Sequence, residues 1–263
     1  MNIVTVSQKA KEALKSHAKQ EAQVLGWPYV VRKGQSLPKL QEQYKADSIL
    51  NFQNTGPSLY TGPGKEHHFH LSMAQLRILR LERGEQDHLV EAVKIESPEQ
   101  FSILDCTLGL ASDSIIMTYA YPEARITGLE AALPLWYITK YGLQHFVHDN
   151  KEVTNALRRI EAIHGNYIDY LAQADNDSFE VVYFDPMFEK PIEESPQFLS
   201  LRGHIHEEPL SIDSFHQACR VAKYKVVIKE RPFASIFKIL QPHEWVGGKY
   251  SRIGYGVYYV ERI

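Results

Sequence analysis

Cysteine is scarce in this sequence, and long apolar runs are missing. Only two of the 263 residues are cysteine, Cys106 and Cys219, and they form no CxxC motif. We interpret both as small buried residues rather than as a disulfide, a redox pair or zinc ligands. No window approaches the ~18 apolar residues of a membrane-spanning helix, and the N-terminus turns polar before a signal-peptide core develops. These absences predict a cytoplasmic protein without a membrane anchor or a metal.

A strong excess of one charge is also lacking, because the net charge at pH 7 is −3. The charges are nevertheless unevenly distributed: residues 1–95 hold 13 Lys and Arg against 9 Asp and Glu, and residues 96–263 hold 16 against 23. The two balances, +4 and −7, sum to −3. A basic N-terminal part is consistent with polyanion binding. Solvated helix faces explain the same charges equally well.

Two patterns of apolar residues divide the chain near residue 95. Residues 1–95 predict a small α+β domain, with helices over 7–25, 36–46, 72–80 and after Gly84, and with strands at PYVVR, DSILNFQ, SLYTG and HFHL. In residues 96–263, short apolar strands alternate with helices near 112–120, 133–146, 166–174 and 211–222. The strand candidates are FSILDC, ARITGLE, RIEAIHG, FEVVYFDP, YKVVIKE and a closing hairpin. This alternation predicts an α/β domain with a Rossmann-like, mainly parallel sheet and a C-terminal antiparallel hairpin.

The segment ILDCTLGLASD, residues 103–113, places a glycine-containing turn between the first of these strands and a helix. Such a turn presents backbone N–H groups at the carboxyl end of a strand, where open α/β sheets bind ligands. The phosphate-loop motif GxxxxGK[ST] is absent, and Ala111 stands where the dinucleotide motif GxGxxG would have a second glycine. A purely structural turn would explain this loop as well.

Polar residues also follow the next strands. Glu130 ends the second strand, 25 residues after Asp105, and an acid at this position can accept both hydroxyls of a ribose. Asn166 and Tyr167 follow the third strand, where an adenine would lie. The alternative for Glu130 is a solvated glutamate at a strand end. Taken together, the strand ends predict an adenosyl ligand lying across one edge of the sheet.

The most specific motif is YFDPMF, residues 183–188. Pro186 restricts the backbone of Asp185 and so fixes this carboxylate at the mouth of the fourth strand. We interpret Asp185, Pro186 and Phe188 as the catalytic group, in which Asp185 accepts hydrogen bonds from an exocyclic amine while Phe188 stacks on its ring. A structural Asp-Pro turn is the alternative.

The ordered set LDCTLGLASD, LE, IHGNY, VVYFDPMF and VVIKERP resembles the class I S-adenosylmethionine-dependent methyltransferases, with their seven-stranded sheet. Within that class it is similar to the RsmJ-type family, which methylates the exocyclic amine of a guanine in small-subunit ribosomal RNA. The resemblance spans about residues 83–263, and the loop GLAS departs from the GLGR that the family commonly has. It implies S-adenosyl-L-methionine as the cofactor. The predicted cofactor-binding residues are Asp105, Thr107, Gly109, Ser112, Asp113, Glu130, Ala131, Asn166, Tyr167 and Asp185.

Several cationic and histidine clusters have two interpretations. Arg77, Arg80 and Arg83 form a stripe along one predicted helix that would contact phosphates or simply be solvated. Lys229 and Arg231 lie at a strand end, where they would bind substrate phosphate or form structural salt bridges. HHFH, residues 67–70, suggests a metal site, but no carboxylate has useful spacing and we favour a role without metal. The predicted substrate-binding residues are Arg77, Arg83, Lys229 and Arg231.

The sequence therefore predicts transfer of a methyl group from S-adenosylmethionine to an amine, with guanine N2 of small-subunit ribosomal RNA as the favoured acceptor. The predicted partner is ribosomal RNA or the small ribosomal subunit. Two alternatives stay open at this stage. One is a methyltransferase for another amine, such as a protein glutamine or a small molecule, and the other is a noncatalytic module that binds an adenosyl ligand or RNA.

Overall fold

The computed structural model describes residues 1–96, 101–186, 210–248 and 251–260. Within these ranges the chain forms a four-stranded sheet and a seven-stranded sheet. None of the described helices is long and apolar enough to cross a membrane.

The four-stranded sheet occupies the N-terminal part of the chain. Its elements are β1 (Asn2–Val6), α1 (Glu12–Leu25), α2 (Leu37–Tyr44), β2 (Ser48–Gln53), β3 (Gly56–Gly62) and β4 (Lys65–His68). The strands lie in chain order, with β1 parallel to β2 and the other pairs antiparallel. Ala18 and Ala22 of α1 are buried against one face of this sheet, and Leu37 and Leu40 of α2 are buried against its other face. This confirms a small α+β unit at the N-terminus.

The seven-stranded sheet has the order β10-β11-β9-β8-β5-β6-β7. Its strands are β5 (Phe101–Asp105), β6 (Ala124–Glu130), β7 (Ile160–His164), β8 (Phe179–Phe184), β9 (Ala222–Glu230), β10 (Glu244–Val246) and β11 (Gly254–Tyr259). The five neighbouring strands β7, β6, β5, β8 and β9 pair in parallel. Strand β11 runs antiparallel to both β9 and β10. Asp105 lies in register with Gly128 and Tyr183, so the carboxyl ends of β5, β6 and β8 meet at one edge. The predicted Rossmann-like sheet with its antiparallel hairpin is confirmed.

Helices cover both faces of this sheet. They are α3 (Ser72–Glu82), α4 (His88–Val93), α5 (Ser112–Ala120), α6 (Leu133–His145), α7 (Lys151–Arg158), α8 (Tyr167–Gln173), α9 (Ile212–Val221) and α10 (Ser235–Ile239). Val181 and Tyr183 of β8 pack in the hydrophobic cluster that contains α3, α4, α5 and α7. Val182 and Phe184 pack in the opposite cluster with α8, α9 and α10. Burial on both faces explains why these strands are almost wholly apolar.

Helix α6 joins the two sheets. Leu135 and Ile138 lie in the same hydrophobic cluster as residues of β1, β2 and α1. The Tyr137 hydroxyl donates a hydrogen bond to Glu21 at 2.8 Å. A Cβ atom at Gly142 would overlap the ring of Phe69, which follows β4. The glycine thus allows the connecting segment to pack directly on the backbone of α6.

Helices α3 and α4 precede residue 95 but pack on the seven-stranded sheet. Ile78 of α3 and Leu89 and Val93 of α4 are buried in one cluster with Ile103 and Val227 of the sheet. The seven-stranded sheet is therefore completed by a segment of the predicted N-terminal domain. The division into residues 1–95 and 96–263 stays a prediction.

Some elements differ from those predicted. PYVVR forms a single bridge, between Tyr29 and Val4, rather than a strand. Its backbone hydrogen bonds to β1 are the two that join Pro28 and Val30 to Val4. HFHL is not a strand, since β4 ends at His68. Three elements, β1, α7 and α10, were not predicted. Helix α7 had a usable signal, because the Asn150 side chain caps it by accepting from the Glu152 N–H at 2.9 Å.

Candidate active site

The loop between β5 and α5 is built around Asp105, which is 2% exposed. Its Oδ1 accepts from the Thr107 N–H at 3.0 Å, and its Oδ2 accepts from Ser114 Oγ at 2.5 Å. The Leu108 N–H donates to the Leu129 carbonyl at 2.9 Å and ties the loop to β6. Asp105, predicted as a cofactor residue, thus lies beneath the loop and fixes its shape.

Gly109 and Ala111 give this loop its turn, because both have left-handed backbones with φ of +52° and +63°. Glycine adopts this conformation without cost, whereas alanine is strained in it. Ala111 is fully buried at the start of α5. The departure from the family's glycine therefore falls at a position where the backbone keeps the glycine-type conformation.

Glu130 ends β6 and faces the loop. Its Oε2 accepts from the Gly109 N–H at 3.1 Å, and its Oε1 accepts from the Ala132 N–H at 2.8 Å. Burial raises the pKa of Glu130 to about 7, although these backbone N–H groups stabilise the carboxylate. The neighbouring Ala131 carbonyl lies 3.1 Å from His164 Nε2. The geometry joins two predicted cofactor residues, Gly109 and Glu130, by a direct hydrogen bond.

The third strand end contributes Asn166 and Tyr167. Asn166 caps α8, its side-chain oxygen accepting from the Ile168 N–H at 2.9 Å. The Tyr167 ring packs edge-on against Phe184, with centroids 5.5 Å apart. Both residues therefore lie beside the end of the sheet that carries Glu130 and the glycine loop.

These residues fit an adenosyl ligand. A Cβ atom added at Gly109 would meet nothing within 4 Å, so there is space above the loop. Glu130 contacts the loop at Gly109, and its carboxylate would offer acceptors to the hydroxyls of a ribose placed there. Ser112 and Asp113 begin α5, whose N-terminal backbone N–H groups favour a negatively charged group such as a ligand carboxylate.

Asp185 and Pro186 follow β8 at the same edge. The Asp185 N–H donates to Thr107 Oγ1 at 2.7 Å, which fixes the start of this turn against the glycine loop. Its side chain is 31% exposed, and Oδ2 lies 2.7 Å from Lys229 Nζ at the end of β9. Burial raises the pKa of Asp185, and the ammonium of Lys229 opposes that effect. Asp185 is thus a held carboxylate that still reaches the surface of the site.

Asp113 is the centre of a buried ion-pair network behind Asp185. Its Oδ2 accepts from Lys229 Nζ at 2.8 Å and from the Tyr183 hydroxyl at 2.7 Å. Its Oδ1 lies 2.5 Å from Arg77 Nη1. Arg77 also pairs with both carboxylate oxygens of Asp87, at 2.8 and 2.7 Å. An alternating chain of charges therefore runs from Asp87 through Arg77, Asp113 and Lys229 to Asp185.

This network keeps Asp113 and Lys229 charged. Burial alone would favour neutral Asp113, but Lys229 and Arg77 lower its pKa below the usual value. Burial likewise disfavours the Lys229 ammonium, yet Asp113 and Asp185 raise its pKa. The site thus has two sets of carboxylates. Burial raises the pKa values of Asp105 and Glu130 to about 7, so both titrate near neutrality. Asp113, in contrast, stays ionised.

The predicted arginine stripe is divided by these contacts. Arg77 is committed to Asp87 and Asp113, so the structure gives it a structural environment rather than a phosphate-facing one. Arg80 pairs with Glu85 at 2.8 Å with most of its side chain exposed. Arg83 is exposed at the end of α3. Only the latter two are placed where a phosphate could approach.

The remaining predicted residues are found in separate settings. Lys229 serves the network, while Arg231 begins the loop after β9, its N–H donating to Glu230 at 2.7 Å. Phe188 lies outside the described residues. Within the described ranges no group of three or more His, Cys, Asp and Glu could hold a metal ion. Cys106 and Cys219 are free thiols, the first buried and the second partly buried.

Three site residues were not singled out from the sequence. Asp87 and Ser114 were missed because their partners, Arg77 and Asp105, lie on other elements, 10 and 9 residues away in the chain. Tyr183 had a weak signal: it is a hydroxyl-bearing residue inside an otherwise apolar strand, two residues before Asp185. A buried tyrosine usually finds a hydrogen-bond partner, and here that partner is Asp113.

The whole chain was compared with known protein families and solved structures. A family model for SAM-dependent methyltransferases matches residues 65–260. A solved structure of a SAM-dependent methyltransferase from Neisseria gonorrhoeae superposes with a TM-score of 0.65 and covers 99% of this chain and 96% of that one. Their sequences are 18% identical, so this likeness supports the fold alone.

Two relatives match over nearly the whole chain. The uncharacterized protein YpiP of Bacillus subtilis is 30% identical over 256 residues, which are 97% of this chain and 93% of that protein. The ribosomal RNA small subunit methyltransferase J of Pseudomonas fluorescens is 25% identical over 246 residues, which are 92% and 90% of the two chains. The matches include the N-terminal part as well as the seven-stranded sheet.

Proposed function

The chain belongs to the SAM-dependent methyltransferase family, and on that basis we propose that it methylates the exocyclic N2 amine of a guanine in small-subunit ribosomal RNA. It is an enzyme that uses S-adenosyl-L-methionine. When bound, this cofactor supplies an electrophilic methyl group on a positively charged sulfur. The acceptor and its position are the proposed part.

The observation that supports this acceptor most is the position of Asp185. Its carboxylate stands at the carboxyl end of β8, beside the glycine loop and 2.7 Å from Lys229. The amine of guanine is weakly nucleophilic because its lone pair is delocalised into the ring. A carboxylate that accepts its hydrogen bonds orients the nitrogen and stabilises the positive charge that develops during attack.

Lys229 has a defined task in this proposal. Because its ammonium contacts Oδ2 of Asp185, we assign Oδ1 as the acceptor for the guanine amine. The same ammonium is held by Asp113, so the orientation of Asp185 is coupled to the rigid core of the sheet. Lys229 is thus a positioning residue, which replaces the phosphate contact predicted from the sequence.

For the cofactor we propose that Glu130 accepts the ribose hydroxyls and that Asn166 and Tyr167 border the adenine. Gly109 and Ser112 would let the backbone approach the amino-acid end. Asp105 would act indirectly by shaping the loop through Thr107 and Ser114. Phe188 keeps its proposed stacking role from the sequence motif.

The relative from Pseudomonas fluorescens, named as a ribosomal RNA small subunit methyltransferase, supports RNA as the substrate class. We propose that the N-terminal sheet and the exposed Arg80 and Arg83 add RNA affinity. The net charge of +4 on residues 1–95 is in keeping with this role.

The decisive experiment uses the full chain with labelled S-adenosylmethionine. Small ribosomal subunits and deproteinised ribosomal RNA from a strain lacking the gene are incubated with it, and a ribosome-free protein extract and a small-molecule extract serve as the competing substrates. We expect label in RNA, mapped to guanine N2 at one nucleotide. Label in protein or small molecules alone would overturn the RNA proposal, and label on another RNA position would overturn the N2 assignment.

A further inference from the structure

Phe233 is the most exposed large hydrophobic side chain among the described residues. It is 88% exposed, whereas the other exposed aromatics, Tyr224 and Tyr259, are 44% and 45% exposed. A phenylalanine side chain normally buries about 150–250 Å² of surface, so this ring leaves a large apolar area in contact with water. A ring this exposed is available for contact with another molecule, and an aromatic face is a surface on which nucleobases stack.

The backbone that holds this ring is well anchored. Phe233 lies in the turn that follows β9, where the Ala234 N–H donates to the Arg231 carbonyl at 3.1 Å. The Glu230 carboxylate accepts from the Arg231 N–H at 2.7 Å, and Ala234 is buried in the core beneath α10. Pro232 further restricts the chain. The ring is thus exposed on a rigid turn, which lowers the entropy lost when it binds.

The turn lies close to the acceptor side of the site. Phe233 follows Lys229 by four residues, and Lys229 contacts Asp185. Four residues span at most about 14 Å even when fully extended. In sheet order β9 is on one side of β8, whereas β5 and β6, which carry Gly109 and Glu130, are on the other. The end of β9, from which the turn with Phe233 departs, is therefore on the side of Asp185 away from the proposed ribose contact.

We propose that Phe233 is a substrate-binding residue that stacks on a base of the RNA. This inference rests on the proposed function and assigns it a contact that the catalytic motif does not include. A nucleobase fits because both of its faces stack on aromatic rings. The cationic Arg231, two residues before Phe233 on the same turn, favours a polyanion over an apolar protein segment.

The test compares Phe233→Ala, Phe233→Leu and Phe233→Trp in the full chain, with Tyr224→Ala as the matched control. Tyr224 is an exposed aromatic at the amino end of the same strand, on the opposite edge of the sheet. Binding of small-subunit ribosomal RNA, methyl transfer at saturating S-adenosylmethionine, cofactor binding by calorimetry and thermal unfolding are measured for each.

We expect Phe233→Ala to weaken RNA binding and kcat/KM by about tenfold or more, the lower part of the range for loss of one base stack. Phe233→Trp should bind as well as the parent and Phe233→Leu should not, because leucine keeps apolar volume without a π-face. Cofactor affinity and melting temperature should stay unchanged in all variants, and Tyr224→Ala should behave like the parent.

Three results would overturn the inference. Parental RNA binding by Phe233→Ala, in an enzyme that labels ribosomal RNA, removes the contact and leaves the proposed function intact. Full activity of Phe233→Leu excludes stacking, and a selective loss of cofactor affinity assigns the ring to the adenosyl ligand. Failure of the parent itself to label RNA is a separate outcome that overturns the proposed function and the nucleobase together.

Discussion

Lys229 holds Asp185 through an ion pair of 2.7 Å, and its ammonium is in turn fixed by Asp113 at 2.8 Å. The side chain of Lys229 is 18% exposed, that of Asp113 is 10% exposed and that of Asp185 is 31% exposed. The carboxylate that we propose as catalytic therefore has one buried cation as its support. The proposal thus predicts that changes at Lys229 affect both stability and methyl transfer.

Lys229→Met should destabilise the fold, because it leaves Asp113 with one cation fewer in a buried environment. We expect a loss of about 3 kcal/mol in the free energy of unfolding, the lower end for a broken buried pair, since Asp185 remains partly hydrated. Chemical denaturation measures it. The control is Lys223→Met on the same strand, whose pair with Glu180 at 3.7 Å is more exposed and should contribute under about 1 kcal/mol. Equal losses in both variants would contradict the network's role.

Asp185→Asn keeps the shape of the side chain but removes its negative charge. We expect turnover to fall by about 10²–10³ at saturating S-adenosylmethionine, comparable to the loss of one preorganised electrostatic contact, with a much smaller change in RNA affinity. Single-turnover methyl transfer measures it, and Asp169→Asn on the exposed face of α8 is the control. Near-parental turnover would remove Asp185 from the mechanism.

Cofactor affinity should depend on pH through Glu130. Its pKa is raised to about 7 by burial, so a substantial fraction of the free protein carries a protonated Glu130 at neutral pH. The ionised form is the better acceptor for ribose hydroxyls, and affinity should therefore rise from about pH 6 to about pH 8. Calorimetry across this range measures it.

Glu130→Gln should bind more weakly by about 1.5–3 kcal/mol at high pH, the range for hydrogen bonds to a charged group. It should also lose most of the pH dependence, leaving the part due to Asp105, whose pKa is likewise raised to about 7. An equally steep pH dependence in this variant would exclude Glu130 as the responsible group.

Gly142→Ala tests how the N-terminal segment packs on α6. The new methyl group would overlap the Phe69 ring, and overpacking typically costs about 1–3 kcal/mol. This should exceed the gain of about 1 kcal/mol that alanine gives in a helix. Gly165→Ala is the control, because its Cβ would meet nothing within 4 Å. Thermal unfolding that shows Gly142→Ala to be as stable as the parent would mean that Phe69 moves aside freely.

Replacing Arg80 and Arg83 together by Gln should weaken RNA binding and reduce the salt dependence, by up to about one unit of the log–log slope per phosphate contact. Arg77→Gln should instead lower stability, because it leaves Asp87 and Asp113 without their shared partner. Filter binding at several salt concentrations and denaturation separate the two effects. Unchanged salt slopes in the double variant would exclude these arginines from the RNA interface.

Much of the fold could be predicted from the sequence, because its signals are local. The apolar strands and the turn residues after them predicted all seven strands of the large sheet, and α5 spans the predicted residues 112–120. The edge that holds Asp105, Glu130 and Asp185 follows from these strands, since parallel strands present their carboxyl ends together. The N-terminal strand β1 was not predicted, although its residues Ile3, Val4 and Val6 are apolar and buried.

The roles within the site were decided by tertiary structure. A sequence gives Arg77, Asp113 and Lys229 as charges on a helix, at a helix start and at a strand end. Asp113 is 36 residues from Arg77 and 116 residues from Lys229. Only their packing around Tyr183 makes them one buried network, because desolvation strengthens their attraction and commits each charge to a partner. Burial also decided the pKa values of Asp105 and Glu130. Residue types and strand order thus determined where the chemistry lies, and the three-dimensional neighbours determined which groups are available for it.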